Sequence, residues 1–237
     1  MTKNKNLWLL LAKNFVIAVV LSAILMLAIW LLKIEIVIDN VLICSVLATI
    51  SGIAYLLTIR NTANYTGFYS GIFSSACLGV QFALLGGYDL TFLYFAVFIP
   101  FQYAAIVNWK KKEAQTKNEI ETFRPKFLPF KKQLFFFSIF LIIIVIDYIF
   151  SAIIIKNQPF FDDFLRKTMF ATMISSSILA NYLMINKWLD TWLYWLLYSV
   201  SAIFSAIIIQ NNFNLLLFVF FLIINIITFI SWLKIKK

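Results

Sequence analysis

The sequence predicts an all-α integral membrane protein with about eight transmembrane helices. Of its 237 residues, 63% are apolar and only 13% are charged, and the mean hydropathy is +0.93. An average soluble domain has about 45–50% apolar and about 25% charged residues. A globule of this size buries on the order of 70% of its surface, so it could not hide this much apolar surface from water. Lipid is therefore the expected solvent, and a soluble single-core enzyme is not expected.

Eight apolar segments are long enough to cross a membrane, because a helix needs about 20 residues to span the hydrocarbon. They are predicted at 7–32, 40–59, 67–86, 90–109, 133–155, 168–186, 190–209 and 214–233. The first segment has the basic start of a signal peptide, but its apolar run is about 26 residues long and no small-residue cleavage site follows. We expect it to remain as a membrane helix.

The basic residues fall mostly on one side of these spans. With Met1 inside, that side collects 16 of the 20 lysines and arginines, eight of them in the loop 110–132. The positive-inside rule therefore places both termini in the cytoplasm and makes 110–132 a cytoplasmic loop. This distribution explains the net charge of +10 through the lipid bilayer and requires no nucleic-acid partner. Tryptophans at predicted span ends are expected to lie at the lipid head groups: Trp8, Trp30, Trp109, Trp188 and Trp232.

The spans are arranged as two similar blocks. The predicted organisation is an extra N-terminal helix (1–39), a first three-helix block (40–109), the basic loop (110–132), a linking helix (133–155) and a second three-helix block with a basic tail (156–237). An odd linker gives the two blocks the same orientation, so they form parallel repeats with a substrate site expected at their interface.

A shift of 123 positions superimposes the two blocks at several residues. It matches Trp109 to Trp232 and Gln102 to Asn225. It also pairs phenylalanines, Phe95 with Phe218 and Phe98 with Phe221. These matches favour a repeat, although apolar segments align easily by chance.

Polar side chains within the spans are candidates for a binding site, because a polar group in lipid must be paired or face a cavity. Trp192, Trp195 and Ser199 share one helix face, and paired rings of this kind hold flat aromatic heterocycles. Gln102 follows Pro100, which is predicted to kink its helix. Further hydrogen bonds are expected from Asn181, Ser74, Tyr69, Tyr94 and Asn225. Packing between helices, or contact with lipid, is the alternative role for each of them.

The sequence gives little support for metal binding, catalysis or ion coupling. There is no histidine, and Cys44 and Cys77 lie in apolar runs without metal-ligand spacing, so neither a metal site nor a cofactor is expected. No nucleotide-binding, hydrolase or protease motif occurs, and we do not expect an enzyme. Asp147 is the one carboxylate deep in a span and raises the question of ion coupling. Because no second acid or histidine is placed to form a relay, ion coupling is not the favoured hypothesis.

Four short motifs occur in order between residues 40 and 233. The first block contains Phe68-Tyr69-Ser70-Gly71 with Ser74, and then Ile99-Pro100-Phe101-Gln102 ending at Trp109. The second block contains Ala180-Asn181-Tyr182-Leu183-Met184 and then Trp192-Leu193-Tyr194-Trp195. Together these motifs resemble the PnuC-type vitamin and nucleoside transporters, a family whose best-known members carry nicotinamide riboside.

The resemblance implies a three-plus-one-plus-three fold related in architecture to the SWEET sugar transporters. It also implies facilitated diffusion of nicotinamide riboside or a related nucleoside or vitamin across a bacterial inner membrane. Cytoplasmic kinases would then trap the substrate by phosphorylation. By this resemblance, Trp192 and Trp195 border the ligand ring, and Gln102, Ser199 and Asn181 form hydrogen bonds to it.

Three positions depart from the family pattern, and each carries a shorter side chain. Ser199 and Ser74 stand where the family has asparagine, and Asn181 stands where it has glutamine. A deoxynucleoside, thiamine or riboflavin is therefore an alternative substrate. A non-transporting structural subunit, whose polar residues only pack helices, is an alternative of another class. The sequence leaves open whether three copies of the chain associate.

Overall fold

The structure is a bundle of helices. The computed structural model describes residues 2–31, 39–60, 64–86, 88–115, 125–154, 164–208 and 212–236. Within these ranges, the α-helices are α1 (Thr2–Leu31), α2 (Asn40–Ile59), α3 (Gly67–Leu84), α4 (Tyr88–Leu93), α5 (Ile99–Gln115), α6 (Phe130–Ile154), α7 (Phe164–Ile185), α8 (Asp190–Ile208) and α9 (Asn212–Lys236). A π-helical segment, Tyr94–Phe98, joins α4 to α5 without a break.

The helices have the lengths and surfaces of membrane spans. Eight helical segments in the described ranges are long and apolar enough to cross a bilayer, and each coincides with a predicted span. Large apolar side chains point outward along the bundle, for example Leu9, Phe92 and Phe135. Lipid can solvate such a surface, whereas water could not. The predicted all-α membrane fold with eight spans is confirmed.

The third helix of each three-helix block packs against the first helix of the other block. Helix α5 packs on α7, and α9 packs on α2. Two buried indoles fix these contacts: Trp109 Nε1 donates to the Met184 carbonyl oxygen at 3.2 Å, and Trp232 Nε1 donates to the Ile59 carbonyl oxygen at 3.3 Å. These two bonds, here called the indole clasp, join the blocks reciprocally at the end of the bundle where α1 begins and α9 ends, which we call the basic end. The reciprocity is what a parallel repeat would produce.

The clasp corrects the expectation for two tryptophans. Trp109 and Trp232 are 2% and 0% exposed, so a head-group position for them is wrong. Trp232 supplies a donor to the helix-end carbonyl of Ile59, and Trp109 adds a second donor to the Met184 carbonyl oxygen, which also accepts from the Lys187 amide at 3.0 Å. Trp8 and Trp30 are instead 49% and 70% exposed, as residues at a lipid surface would be.

The outer helices α1 and α6 each pack on the first helix of the block that follows them. Asn14 of α1 donates from Nδ2 to Thr58 Oγ1 at 3.1 Å, which pairs two polar groups inside the bundle. Before α6, the backbone of Lys126 accepts from the Leu189 amide at 3.0 Å. The amide of Leu128 donates to Asp190 Oδ2 at 2.7 Å. The described end of the basic loop is thus attached to the start of α8.

The π-helical segment lies in the fourth span just before Pro100. The amide of Ile99 donates to the Tyr94 carbonyl oxygen, a five-residue step in place of the usual four. Pro100 has no amide hydrogen to donate, and a wider turn in front of it relieves the ring's clash with the preceding turn. Two residues of this segment, Tyr94 and Phe98, are buried, and the kink expected at Pro100 stays a prediction.

Replacement of Trp232 by phenylalanine should destabilise the fold through the clasp. The ring is largely kept, but the Ile59 carbonyl oxygen is left buried without its donor, which should lower the free energy of unfolding by about 1–3 kcal/mol. The measurement is unfolding of the detergent-solubilised protein. Trp30→Phe is the matched control and should change stability by under about 0.5 kcal/mol, because Trp30 is exposed. Equal losses in both variants would contradict a role for the clasp.

Candidate functional site

A cavity lies between the two blocks. The first block lines it with Gly52, Tyr55, Leu56, Gly71, Ser74, Ser75, Leu78, Tyr94, Phe98 and Gln102. The second block contributes Trp195, Tyr198, Phe221 and Asn225. The cavity has a volume of about 90 Å³, measured as the space open to the centres of water molecules. On the same measure one water molecule needs about 10–15 Å³. A small organic ring can therefore enter.

The lining is aromatic, with a few polar atoms among the rings. Four of these atoms are buried and have no hydrogen-bond partner in the described part of the chain: Tyr55 OH, Gln102 Oε1, Trp195 Nε1 and Asn225 Oδ1. No charged side chain of the described residues lines the cavity. An unpaired polar group in a low-dielectric interior is costly, and pairing with a bound molecule removes that cost. The cavity thus has the features of a binding site for an uncharged or delocalised polar ligand.

The two amides of the cavity are held in the same way. Gln102 donates from Nε2 to Ser75 Oγ at 3.1 Å, and Asn225 donates from Nδ2 to Ser199 Oγ at 2.9 Å. Each amide therefore uses its nitrogen on a serine of the neighbouring helix in its own block. The carbonyl oxygen of each has no hydrogen-bond partner within the described residues.

Glycine keeps the space beside Gln102 open. A Cβ at Gly71 would lie 2.9 Å from Gln102 Oε1 and 3.0 Å from Tyr55 Cδ2. A Cβ at Gly52 would lie 3.2 Å from Ser74 Oγ. Any larger residue at Gly71 would displace the groups that line the cavity.

Two tyrosines meet across the cavity. The hydroxyls of Tyr94 and Tyr198 hydrogen-bond each other, which links the π-helical segment of the first block to α8 of the second. The Trp195 ring meets the Tyr198 ring edge-on at 5.5 Å. Along the fourth span, Gln102 lies between Tyr94 and Trp109, so the tyrosine bond and the indole clasp are on opposite sides of the cavity.

Toward the basic end, the bundle is filled by large rings. Trp192 contacts Trp232 edge-on at 5.2 Å, and Phe68 contacts Trp109 edge-on at 4.7 Å. The buried Lys187 ammonium lies 4.0 Å from the centre of the Trp109 ring, where the π face attracts a cation. This cluster separates the cavity from the basic end.

Five of the nine sequence-predicted site residues line the cavity: Trp195, Gln102, Ser74, Tyr94 and Asn225. The hydroxyl of Ser74 is already engaged, because it donates to the Ala48 carbonyl oxygen at 2.8 Å. Gln102 and Asn225, which the repeat placed opposite each other, lie in the same cavity. Their assignment as ligand contacts stays a prediction.

The structure places the other four predicted residues, Trp192, Asn181, Tyr69 and Ser199, outside the lining. Trp192 lies in the tryptophan cluster. Asn181 donates from Nδ2 to the Ser177 carbonyl oxygen of its own helix at 2.9 Å. Tyr69 is 37% exposed and accepts from Lys110 Nζ at 2.9 Å. Ser199 accepts a hydrogen bond from Asn225 Nδ2.

Tyr55 and Tyr198 line the cavity but are not among the residues predicted from the sequence as ligand contacts. Tyr198 directly precedes Ser199, which was predicted as a ligand contact, but nothing in the sequence indicates that Tyr55 faces the cavity. Phe98 and Phe221 were paired by the 123-position shift, and that signal could have marked them as lining residues. Asp147, the candidate for ion coupling, is on α6 and is not among the lining residues.

Comparison with known proteins agrees with this architecture. A solved structure described as the crystal structure of the vitamin B3 transporter PnuC superimposes with a TM-score of 0.69 at 16% sequence identity, covering 95% of this chain and 92% of that one. At that identity, the match establishes the fold alone. A search of the curated proteins found no match.

A family-level comparison reaches further than the fold. The model of the nicotinamide mononucleotide transporter family matches residues 42–234. This match includes all the helices that line the cavity. The protein therefore belongs to the nicotinamide mononucleotide transporter family and is a membrane transporter, not an enzyme.

Proposed function

We propose that the protein carries nicotinamide riboside or a closely related nucleoside or vitamin into the cytoplasm by facilitated diffusion. The observation that carries this proposal is the group of unpartnered polar atoms among aromatic rings in the cavity between the blocks. Rings such as Trp195 and Tyr198 stack on a flat heterocycle, and they also attract a delocalised cation such as a pyridinium without any carboxylate. The carbonyl oxygens of Gln102 and Asn225 match the hydroxyl and amide hydrogens of such a substrate.

The same lining supports trapping after transport. Phosphorylation adds nearly two negative charges at neutral pH. In the described part of the chain, the cavity offers that group no cation, and two carbonyl oxygens would repel it. A phosphorylated product should therefore bind far more weakly than its precursor and remain in the cytoplasm.

Transport is proposed to proceed by rocking one block against the other. Opening toward the basic end must break the indole clasp of Trp109 and Trp232. Opening toward the other end must break the hydrogen bond between Tyr94 and Tyr198. Since the basic end carries Arg60, Lys110 and Lys131, the positive-inside rule supports a cytoplasmic location for that end in a bacterial inner membrane. Asp147 is not among the residues that line the cavity, which supports transport without ion coupling.

Binding of the proposed substrate should be visible as thermal stabilisation. The detergent-solubilised protein would be tested with nicotinamide riboside, nucleosides, deoxynucleosides, thiamine and riboflavin, because a ligand at 100 times its Kd stabilises by about 2.7 kcal/mol. We expect a shift with nicotinamide riboside and none with its phosphorylated form. Trp195→Ala should abolish the shift and saturable uptake, whereas Trp8→Ala, at a half-exposed position on α1, should preserve both. No shift with any compound would contradict the proposal.

Gly71→Ala should weaken substrate binding by narrowing the cavity. Its matched control is Gly67→Ala, one turn earlier on α3, where the new Cβ would lie equally close, at 2.9 Å, to Ile59 Cγ2 but outside the cavity. Both changes crowd a neighbouring side chain and should cost about 1–3 kcal/mol of stability.

Only Gly71→Ala should also raise the Kd for nicotinamide riboside, because its methyl group displaces Gln102 and Tyr55. Binding measured on the folded fraction of each variant separates the two effects. If Gly67→Ala weakened binding as much as Gly71→Ala, the cavity would not be the substrate site.

A further inference from the structure

We propose that Ser199 is a positioning residue that sets the hydrogen-bond polarity of the cavity. It holds the Asn225 amide so that an acceptor, Oδ1, is the atom presented to the substrate. This inference rests on the proposed function, since it concerns how the same cavity selects its substrate. Ser199 acts by orienting Asn225 and does not itself contact the ligand.

The orientation of the Asn225 amide follows from the single hydrogen of a serine hydroxyl. Ser199 Oγ lies 2.9 Å from the Trp195 carbonyl oxygen and 2.9 Å from the Asn225 amide. A carbonyl oxygen can only accept, so the Ser199 hydrogen goes to Trp195. Ser199 can then only accept from Asn225, which must turn its NH₂ group toward the serine. The reversed amide would place two acceptors against each other.

The remaining atom of that amide is the one available to a ligand. Asn225 Oδ1 is buried and unpartnered within the described ranges, and Asn225 lines the cavity. Its pairing needs a donor from the substrate, such as a hydroxyl or an amide N–H. A substrate group that can only accept, such as a carboxylate or an ether oxygen, would leave Oδ1 unpaired, and the two oxygens would repel each other.

The first block repeats this arrangement. Gln102 gives its NH₂ group to Ser75 and keeps Oε1 unpartnered among the described residues that line the cavity. Two carbonyl oxygens, one from each block, thus require donors from the substrate. The substrate class is therefore a flat ring compound that carries at least two separate hydrogen-bond donors.

Ser199 also links the ring-binding and the amide-binding parts of the site. It bonds to the backbone of Trp195, one turn earlier on α8, and to the side chain of Asn225 on α9. Removal of its hydroxyl leaves the Asn225 NH₂ group without its acceptor. The amide can then rotate, and the cavity loses its fixed preference for donors.

A double-mutant cycle tests this role with nicotinamide riboside as the probe. Its Kd would be measured for the wild type, Ser199→Ala, Asn225→Ala and the double variant, together with the melting temperature of each without ligand. We expect Ser199→Ala to raise the Kd about 3- to 10-fold, the worth of one oriented hydrogen bond. In the Asn225→Ala background, Ser199→Ala should have no further effect, because the group it orients is gone.

Ser175→Ala is the matched control. Ser175 is equally buried, at 0% exposure, and its hydroxyl makes the same kind of bond to its own helix, to the Ala171 carbonyl oxygen at 2.7 Å. It does not line the cavity, so its removal should leave the Kd unchanged. A general loss of packing would instead weaken binding in both serine variants.

The possible failures are distinguishable. An unchanged Kd in Ser199→Ala, additive effects in the cycle, or an equal loss in Ser175→Ala would overturn the role of Ser199 and leave the proposed function standing. Absence of binding by the wild type to nicotinamide riboside and to every other compound of the panel would overturn the proposed function, and the inference would fall with it.

Discussion

The need to pair every polar group inside a lipid-surrounded bundle controls the rest of this structure. Lipid supplies no hydrogen bonds, so helix-end carbonyls and polar side chains must find partners within the protein. The indole clasp meets this need where the two blocks join, with Trp109 and Trp232 each closing a carbonyl of the opposite block. Because these bonds are reciprocal, the blocks are joined at one end while a cavity remains between them farther along the helices.

In the cavity, two amide side chains meet this requirement at nitrogen but not at oxygen. The amides of Gln102 and Asn225 are satisfied at nitrogen by Ser75 and Ser199 and open at oxygen. The Asn225 amide is oriented before a ligand binds, because the Ser199 hydrogen is given to the Trp195 carbonyl oxygen and the reversed amide would oppose two acceptors. A fixed acceptor lowers the entropy lost on binding and favours a substrate with a donor group at that position.

The sequence predicted the spans well and the site in part. Hydropathy depends only on composition along the chain, so all eight spans could be located without any knowledge of contacts. The 123-position shift also brought Gln102 and Asn225 together, because a repeat carries spatial information that a single helix does not. Helical periodicity is less informative: it placed Trp192 and Trp195 on one face, yet Trp192 packs on Trp232 and Trp195 borders the cavity. Positions three apart differ by about 60° around a helix, and only the neighbouring helices decide which is covered.

One of the three departures from the family pattern, Ser199, has a physical explanation in this arrangement. An asparagine at position 199 would extend further than serine toward the cavity and could offer its own amide to a ligand. The shorter Ser199 cannot, but it leaves room for Asn225 on α9 to present an amide in the same region. Under the proposed role of Ser199, Asn225 forms the hydrogen bond to the substrate and Ser199 orients it. We therefore propose that a substrate is recognised by the carbonyl oxygens of Gln102 and Asn225, which favours donors on the ligand and disfavours anionic groups such as a phosphate.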